Sequence, residues 1–166
     1  MKNYLIINNK INSFNKKITV SGDKSLSIRW VLLASLASGV SKADNLLISE
    51  DVAAAIDAVR KLGIKVLLKN NFCKIYGKGI NGYNYKKNII IDARNSGTLG
   101  RLILGFLINT THPIKLIGDK SLSKRDFKRV TDPLSKFGAS FKMLKKNGLP
   151  LIIKAVSYTH LRAHET

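Results

Sequence analysis

Gly22-Asp23-Lys24-Ser25-Leu26-Ser27-Ile28-Arg29 and Gly118-Asp119-Lys120-Ser121-Leu122-Ser123-Lys124-Arg125 are one octapeptide written twice, differing only at its seventh residue. Each copy follows a short β-branched run, Ile18-Thr19-Val20 or Ile114-Lys115-Leu116-Ile117, and precedes a stretch that reads as helix. Strand, glycine turn and hydroxyl residues at a helix start leave backbone N–H groups unpaired and directed outward. Together with the positive end of the helix dipole they form a site for an anion. Lys24 adds a cation, and Ser25 and Arg29 fall a turn apart on one helical face. Lys120, Ser121 and Arg125 repeat that spacing. A capped helix beside a solvated arginine would account for either copy alone; the duplication predicts two anion sites built the same way.

Outward from the octapeptides, a repeated α/β pattern emerges. Lys17 to Val20 reads as a strand, preceded by another at Tyr4 to Ile7. Ser25 to Ser38 reads as a buried helix stopped by Gly39, and Ala43 to Leu47 as a weak strand. Ser49 caps a helix from Glu50 to Leu62, with acids in its first turn, Arg60 and Lys61 in its last, and Gly63 beyond. Ile64 to Leu68 and Phe72 to Tyr76 form a hairpin through Lys69-Asn70-Asn71. The order then restarts with a strand from Asn88 to Asp92, a helix opened by Gly97-Thr98 and a strand from Pro113 to Ile117. A helix from Asp126 to Phe137 follows, kinked or restarted at Pro133 and ended by Gly138. Ala139 to Leu144 and Leu151 to Lys154 close as a strand pair. The pattern is two βαβαββ units of about 70 residues each. Domain organisation follows: residues 1–16 as a loosely attached N-terminal strand, 17–156 as an α/β domain, and 157–166 as a foreign tail.

Composition narrows the function classes. An apolar content of 45% permits a real core. No apolar run is longer than Trp30 to Ala34, which is too short to span a bilayer, so no membrane partner is expected. One cysteine, Cys73, excludes an internal disulfide and points to a reducing cytoplasm. The net charge of +19 fits either a nucleic-acid binder or an enzyme for anionic small molecules. The lysines are dispersed and lack an aromatic–basic signature, which disfavours nucleic acid.

Besides Lys24, Ser25 and Arg29, a second constellation stands out: Asn95-Ser96-Gly97-Thr98, with Arg101 three residues further on. Glycine at a helix entrance lets a ligand approach the backbone, and an Asn side chain there can cap the helix or hold a hydroxyl. The first octapeptide is not a Walker A loop, since Asp23 stands where that motif has glycine before its lysine. Glu50-Asp51 reads as a pair of helix-start acids, Cys73 as a small core residue, and His112 as a turn residue. His160 and His164 have metal-like spacing but no third ligand, and no metal site is expected.

The octapeptides, with Asn45-Leu46-Leu47-Ile48-Ser49-Glu50-Asp51 and Asn95-Ser96-Gly97-Thr98 between them, closely resemble the N-terminal part of the 3-phosphoshikimate 1-carboxyvinyltransferase (EPSP synthase) family. The resemblance runs from about Ile18 to Lys154. It implies the enolpyruvyl transferase fold, an inside-out α/β barrel in which each of two domains holds three βαβαββ units. This chain would supply about two units of one domain, residues 17–156, while its opening strand, within residues 1–16, would belong with the second domain. By resemblance, Lys24, Ser25 and Arg29 contact shikimate 3-phosphate, and Lys24, the expected catalytic residue, also reaches phosphoenolpyruvate. Asn95, Gly97, Thr98 and Arg125 then form the phosphoenolpyruvate side. The implied reaction moves the enolpyruvyl group to the shikimate 5-hydroxyl with loss of phosphate, in the cytoplasm, without metal or redox cofactor. The full-length protein is expected to be a monomer, and these 166 residues alone to be inactive.

Three positions depart from the family pattern: Ile28 where a polar residue is usual, Gly100 where a larger apolar one is usual, and Asp126 in place of proline. The related UDP-N-acetylglucosamine enolpyruvyltransferases carry Lys-Asn in the first loop and a reactive cysteine in the second. Here Ser25 follows Lys24 and residues 118–125 contain no cysteine. A basic nucleic-acid-binding protein is the alternative of another class, distinguished by salt-sensitive, sequence-independent DNA binding.

Overall fold

The computed structural model describes residues 15–154 together with residues 6, 8, 10 and 13. Of the N-terminal strand expected at Tyr4 to Ile7, only Ile6 falls among them, and the tail 157–166 lies outside them.

The first unit comprises α1 (Lys24–Leu36), β1 (Ser38–Ala43), α2 (Glu50–Lys61), β2 (Lys65–Lys69) and β3 (Phe72–Lys78). The second comprises β4 (Ile90–Asp92), α3 (Gly97–Phe106), β5 (Ile114–Ile117), a single 3-10 turn (Leu122–Lys124), α4 (Lys128–Lys136), β6 (Ser140–Met143) and β7 (Leu151–Lys154). The sheets have orders β1-β3-β2 and β4-β5-β7-β6. If β1, β2 and β3 are matched to β5, β6 and β7, the two orders coincide, so the expected repeat is present in the topology. In each sheet the last two strands pair antiparallel, and the closing strand also pairs with the strand before the second helix. The β4–α3–β5 segment adds a parallel pair.

The first unit lacks the strand expected at Lys17 to Val20, which adopts no regular structure. Ile18 and Val20 are exposed, and the Val20 carbonyl accepts from the Asn45 side chain at 2.9 Å instead of entering a ladder. The weak strand expected at Ala43 to Leu47 lies earlier, as β1. Gly39, expected to stop the helix, is instead inside that strand at φ +105°. Asn45, at φ +57°, turns the chain where a strand was expected to run.

The helix ends follow the capping logic of the sequence. Asp23 accepts from the Leu26 N–H at 2.7 Å, Ser49 from Val52 at 3.4 Å and Ser96 from Leu99 at 3.3 Å. The cap of α3 is therefore Ser96 rather than Asn95. Helix α4 runs through Pro133 without restarting. The turn between β2 and β3 is tight, with Lys69 opposite Phe72 and Asn70 at φ +51°.

One core spans both units, joining Ile28, Val31 and Leu32 of α1 to Val52 and Ile56 of α2 and to Leu99 and Ile103 of α3. Helices α1, α2 and α3 pack on one another, and this brings the N-termini of all three toward one another. Cys73 is fully buried in this core, as expected, and burial pushes its thiol pKa up. His112 sits in a bend, its N–H donating to the Tyr85 hydroxyl and its carbonyl accepting from it. No helix among the described residues is long and apolar enough to cross a membrane.

Candidate functional site

A cleft of about 630 Å³ opens where the first turns of α1, α2 and α3 meet the loop after β5. Lys24 enters from α1; Ser49, Glu50 and Asp51 from the cap and first turn of α2; Asn95 from the turn before α3; Gly97, Thr98 and Arg101 from α3 itself; and Arg125 from the loop. Four sequence motifs that are far apart along the chain thus reach one cavity. Helix starts converge there, so unpaired N–H groups and positive dipole ends add to Lys24, Arg101 and Arg125.

The first octapeptide is held by the segment after β1. Gly22 packs so closely on Asn45 that a Cβ would strike the Asn45 carbonyl, and the Leu47 N–H donates to the Ser27 hydroxyl at 3.1 Å. Lys24 extends toward α2, its Nζ 2.9 Å from Asp51 Oδ2. On the other side, Arg125 Nη2 donates to Asn95 Oδ1 at 3.5 Å. Arg125 Nη1 is 2.7 Å from where a Gly97 Cβ would stand, so only glycine leaves that guanidinium its place.

The two octapeptides begin alike and then part. Asp119 accepts from the Leu122 N–H at 2.6 Å, as Asp23 does from Leu26, and the Ser123 N–H donates to the Asp119 carbonyl at 2.9 Å. The second copy stops after that single 3-10 turn, with Arg125 extended at φ −74° and ψ 147°. Its seventh residue, Lys124, is exposed, whereas Ile28 is wholly buried and draws α1 onward into the core. The expectation of two matching helix-start anion sites is therefore corrected. Lys120 and Ser121 are exposed and do not line the cleft, and only Arg125 of the second copy reaches it.

Lys24, Asn95, Gly97, Thr98 and Arg125, all expected at the site, are brought together. Ser25 and Arg29 lie on α1 beside the cleft without lining it. The cleft also holds Asp51, and Arg101 of the second constellation, neither of them among the substrate contacts that the resemblance implies. The sequence marks Asp51 only as an acid placed against a helix dipole, and its partner Lys24 is too distant along the chain to signal the pair. Arg101 had a visible signal, its position one turn after Thr98. The departures have structural places: Ile28 is core, Gly100 packs against Phe127, and Asp126 accepts from the Lys128 N–H at 2.8 Å at the start of α4. Among the described residues, no group of three or more His, Cys, Asp or Glu side chains could hold a metal ion.

The family model for EPSP synthase (3-phosphoshikimate 1-carboxyvinyltransferase) matches residues 8–164. The 3-phosphoshikimate 1-carboxyvinyltransferase of Bacillus cytotoxicus is 44% identical over 125 residues, covering 75% of this chain and 29% of the relative. That of Caldicellulosiruptor saccharolyticus is 40% identical over 142 residues, covering 83% and 32%. The solved EPSP synthase from Acinetobacter baumannii superposes with a TM-score of 0.79 at 33% identity, over 84% of this chain and 32% of that one. The chain thus spans less than a third of the length of each of these three. Its second unit is a complete βαβαββ and its first repeats that order without the opening strand, as the enolpyruvyl transferase fold requires of the unit, and with the family match over nearly all of its length the chain belongs to the EPSP synthase (3-phosphoshikimate 1-carboxyvinyltransferase) family.

Proposed function

We propose that this chain carries part of the active site of a 3-phosphoshikimate 1-carboxyvinyltransferase, an enzyme whose substrates are small anions. The reaction forms a bond between the shikimate 5-oxygen and C2 of phosphoenolpyruvate and breaks the C2–O bond to phosphate, which leaves as inorganic phosphate carrying, in the net balance, the proton lost by the hydroxyl. The observation that carries this proposal is the convergence of Lys24, Asn95, Gly97, Thr98 and Arg125 on one cleft.

In this proposal Arg125, the Gly97 backbone and the α3 N-terminus hold phosphoenolpyruvate, with Asn95 and Thr98 shaping its pocket. Lys24, the first residue of α1 and part of the cleft wall, neutralises charge as phosphate departs and is the catalytic residue this segment supplies. Ser25 and Arg29, one turn apart on α1, hold the phosphate of shikimate 3-phosphate. Two polyanionic substrates repel each other, so fixed cations on both sides of the reacting atoms hold them in contact. The protein is assigned to the cytoplasm, and the full-length enzyme acts as a monomer without metal or redox cofactor.

Titration calorimetry with each substrate tests this. Arg125→Ala is expected to weaken phosphoenolpyruvate and spare shikimate 3-phosphate. Equal loss of both, or of neither, would overturn the assignment.

A further inference from the structure

Phe127 is wholly buried, although its neighbours Arg125, Asp126 and Lys128 are all exposed. Its backbone N–H donates to the Asn147 carbonyl at 2.8 Å. Its ring occupies a notch in α3 at Gly100. A Cβ on Gly100 would stand 3.3 Å from the ring Cζ and 3.5 Å from both Cε1 and the Ala93 Cβ. That is tight enough that any side chain at 100 must push the ring or be pushed. The Arg101 guanidinium carbon lies 5.9 Å from the ring centroid, and its buried Nε has no hydrogen-bond partner among the described residues. The ring's π face is thus a neighbour on which that cation can rest. Beyond the ring, Arg101 and Arg125 bring Nη1 atoms to within 3.7 and 2.7 Å of the same point, the Cβ position of Gly97.

We propose that Phe127 is a positioning residue for both cleft arginines: seated in the Gly100 notch, it sets how far Arg125 reaches toward Gly97 and holds Arg101 beside it. Two distinct properties of the side chain act here. Its volume fixes the loop, and with it Arg125 two residues earlier; its π face fixes Arg101. The inference rests on the cleft being an anion site only for its functional meaning, since the geometry itself can be tested without ligand.

Phenylglyoxal labelling of the full 166-residue chain, read residue by residue by mass spectrometry, separates the two effects, with exposed Arg29 as internal reference. Phe127→Ala is expected to speed labelling of both Arg101 and Arg125. Phe127→Leu keeps an apolar body but removes the ring. It should raise Arg101 reactivity roughly three- to tenfold while leaving Arg125 near wild type. The size swap Gly100→Leu/Phe127→Ala should return Arg125 to its wild-type rate while Arg101 stays fast. Unchanged Arg101 labelling in a folded Phe127→Leu protein overturns the proposal, as does a folded swap variant whose Arg125 labels as fast as in Phe127→Ala. If Phe127→Ala or the swap fails to fold, Phe127→Leu alone decides. Phosphoenolpyruvate titrations on the same proteins are expected to show affinity falling as labelling rises. A wild type that binds none would count against the proposed function and leave the labelling result standing.

Discussion

Lys24 Nζ and Asp51 Oδ2 stand 2.9 Å apart and join the first turns of α1 and α2 at the cleft. The lysine is half exposed and the aspartate more enclosed, so the pair contributes under about 1 kcal/mol to stability. Its larger consequence is for ligands, because Asp51 competes with any anion for the same ammonium group.

Asp51→Asn is therefore expected to tighten phosphoenolpyruvate binding about two- to fivefold at low salt, with the gain shrinking as salt rises. Calorimetry at two ionic strengths checks it. Weaker binding instead would mean that Asp51 serves to aim Lys24 rather than to compete for it.

Gly97→Ala tests the close approach of Arg125. The new Cβ would meet Nη1 at 2.7 Å, and the far end of a guanidinium can swing aside without disturbing the backbone. The fold should survive with its melting temperature unchanged or raised, since alanine favours helix over glycine. Phosphoenolpyruvate affinity should fall roughly 10- to 100-fold, the value of about 1.5–3 kcal/mol for a charge-assisted contact. Because both changes remove one contact, Gly97→Ala and Arg125→Ala together should cost little more than either alone.

Much of the fold was legible because its signals are local. The Ser49 cap, the acids after it and Gly63 at φ +86° define α2 almost to the residue, and Asn70-Asn71 fixes the hairpin. The octapeptide was legible as a motif but not as a structure. Both copies make the same aspartate-capped turn, and whether a helix follows depends on burial of the seventh residue, Ile28 or Lys124. That is a tertiary fact no eight-residue string contains. The repeat itself runs out of phase with the octapeptides. Helix α1 corresponds in topology to α3, so the structural counterpart of Lys24 and Ser25 is the Gly97–Thr98 helix start. The missing strand at Lys17 to Val20 had the right residue types, but no neighbouring strand pairs with it among the described residues.

Alkaline stability should follow two acids, the buried Cys73 thiol and the half-buried Tyr83 phenol. Burial raises the Cys73 thiol from its ordinary 9.0, opposed by nearby Arg60, and raises the Tyr83 phenol from 10.0, opposed by its hydrogen bond to Ser35. In the unfolded chain both lose their protons at the lower, ordinary values. Their contribution is therefore intact below pH 9.0 and lost as pH rises through the folded values. Cys73→Ala should flatten the decline that begins near pH 9.0, and Tyr83→Phe the part beginning near 10.0. Denaturant midpoints across that range, compared with wild type, check it. A steeper decline in either variant would reverse the sign argued here.

Arg29→Ala tests whether the two proposed anion positions are separate. Arg29 lies on the exposed side of α1 one turn from Ser25 and does not line the cleft that holds Arg125. If it holds the phosphate of shikimate 3-phosphate, its loss removes a charge-assisted contact worth about 1.5–3 kcal/mol, or roughly 10- to 100-fold in affinity. Phosphoenolpyruvate affinity should move by less than about twofold, as changes at sites without shared partners act independently. Lys120→Ala is the matched control, since it alters the same octapeptide position as Lys24 in the copy that makes only one turn and leaves its lysine in solvent. It should change neither affinity appreciably. Calorimetric titration of both substrates into wild type and the two variants gives the outcome. Equal losses of shikimate 3-phosphate in Arg29→Ala and Lys120→Ala would mean that the charge of the whole surface, and not the α1 start, attracts this ligand.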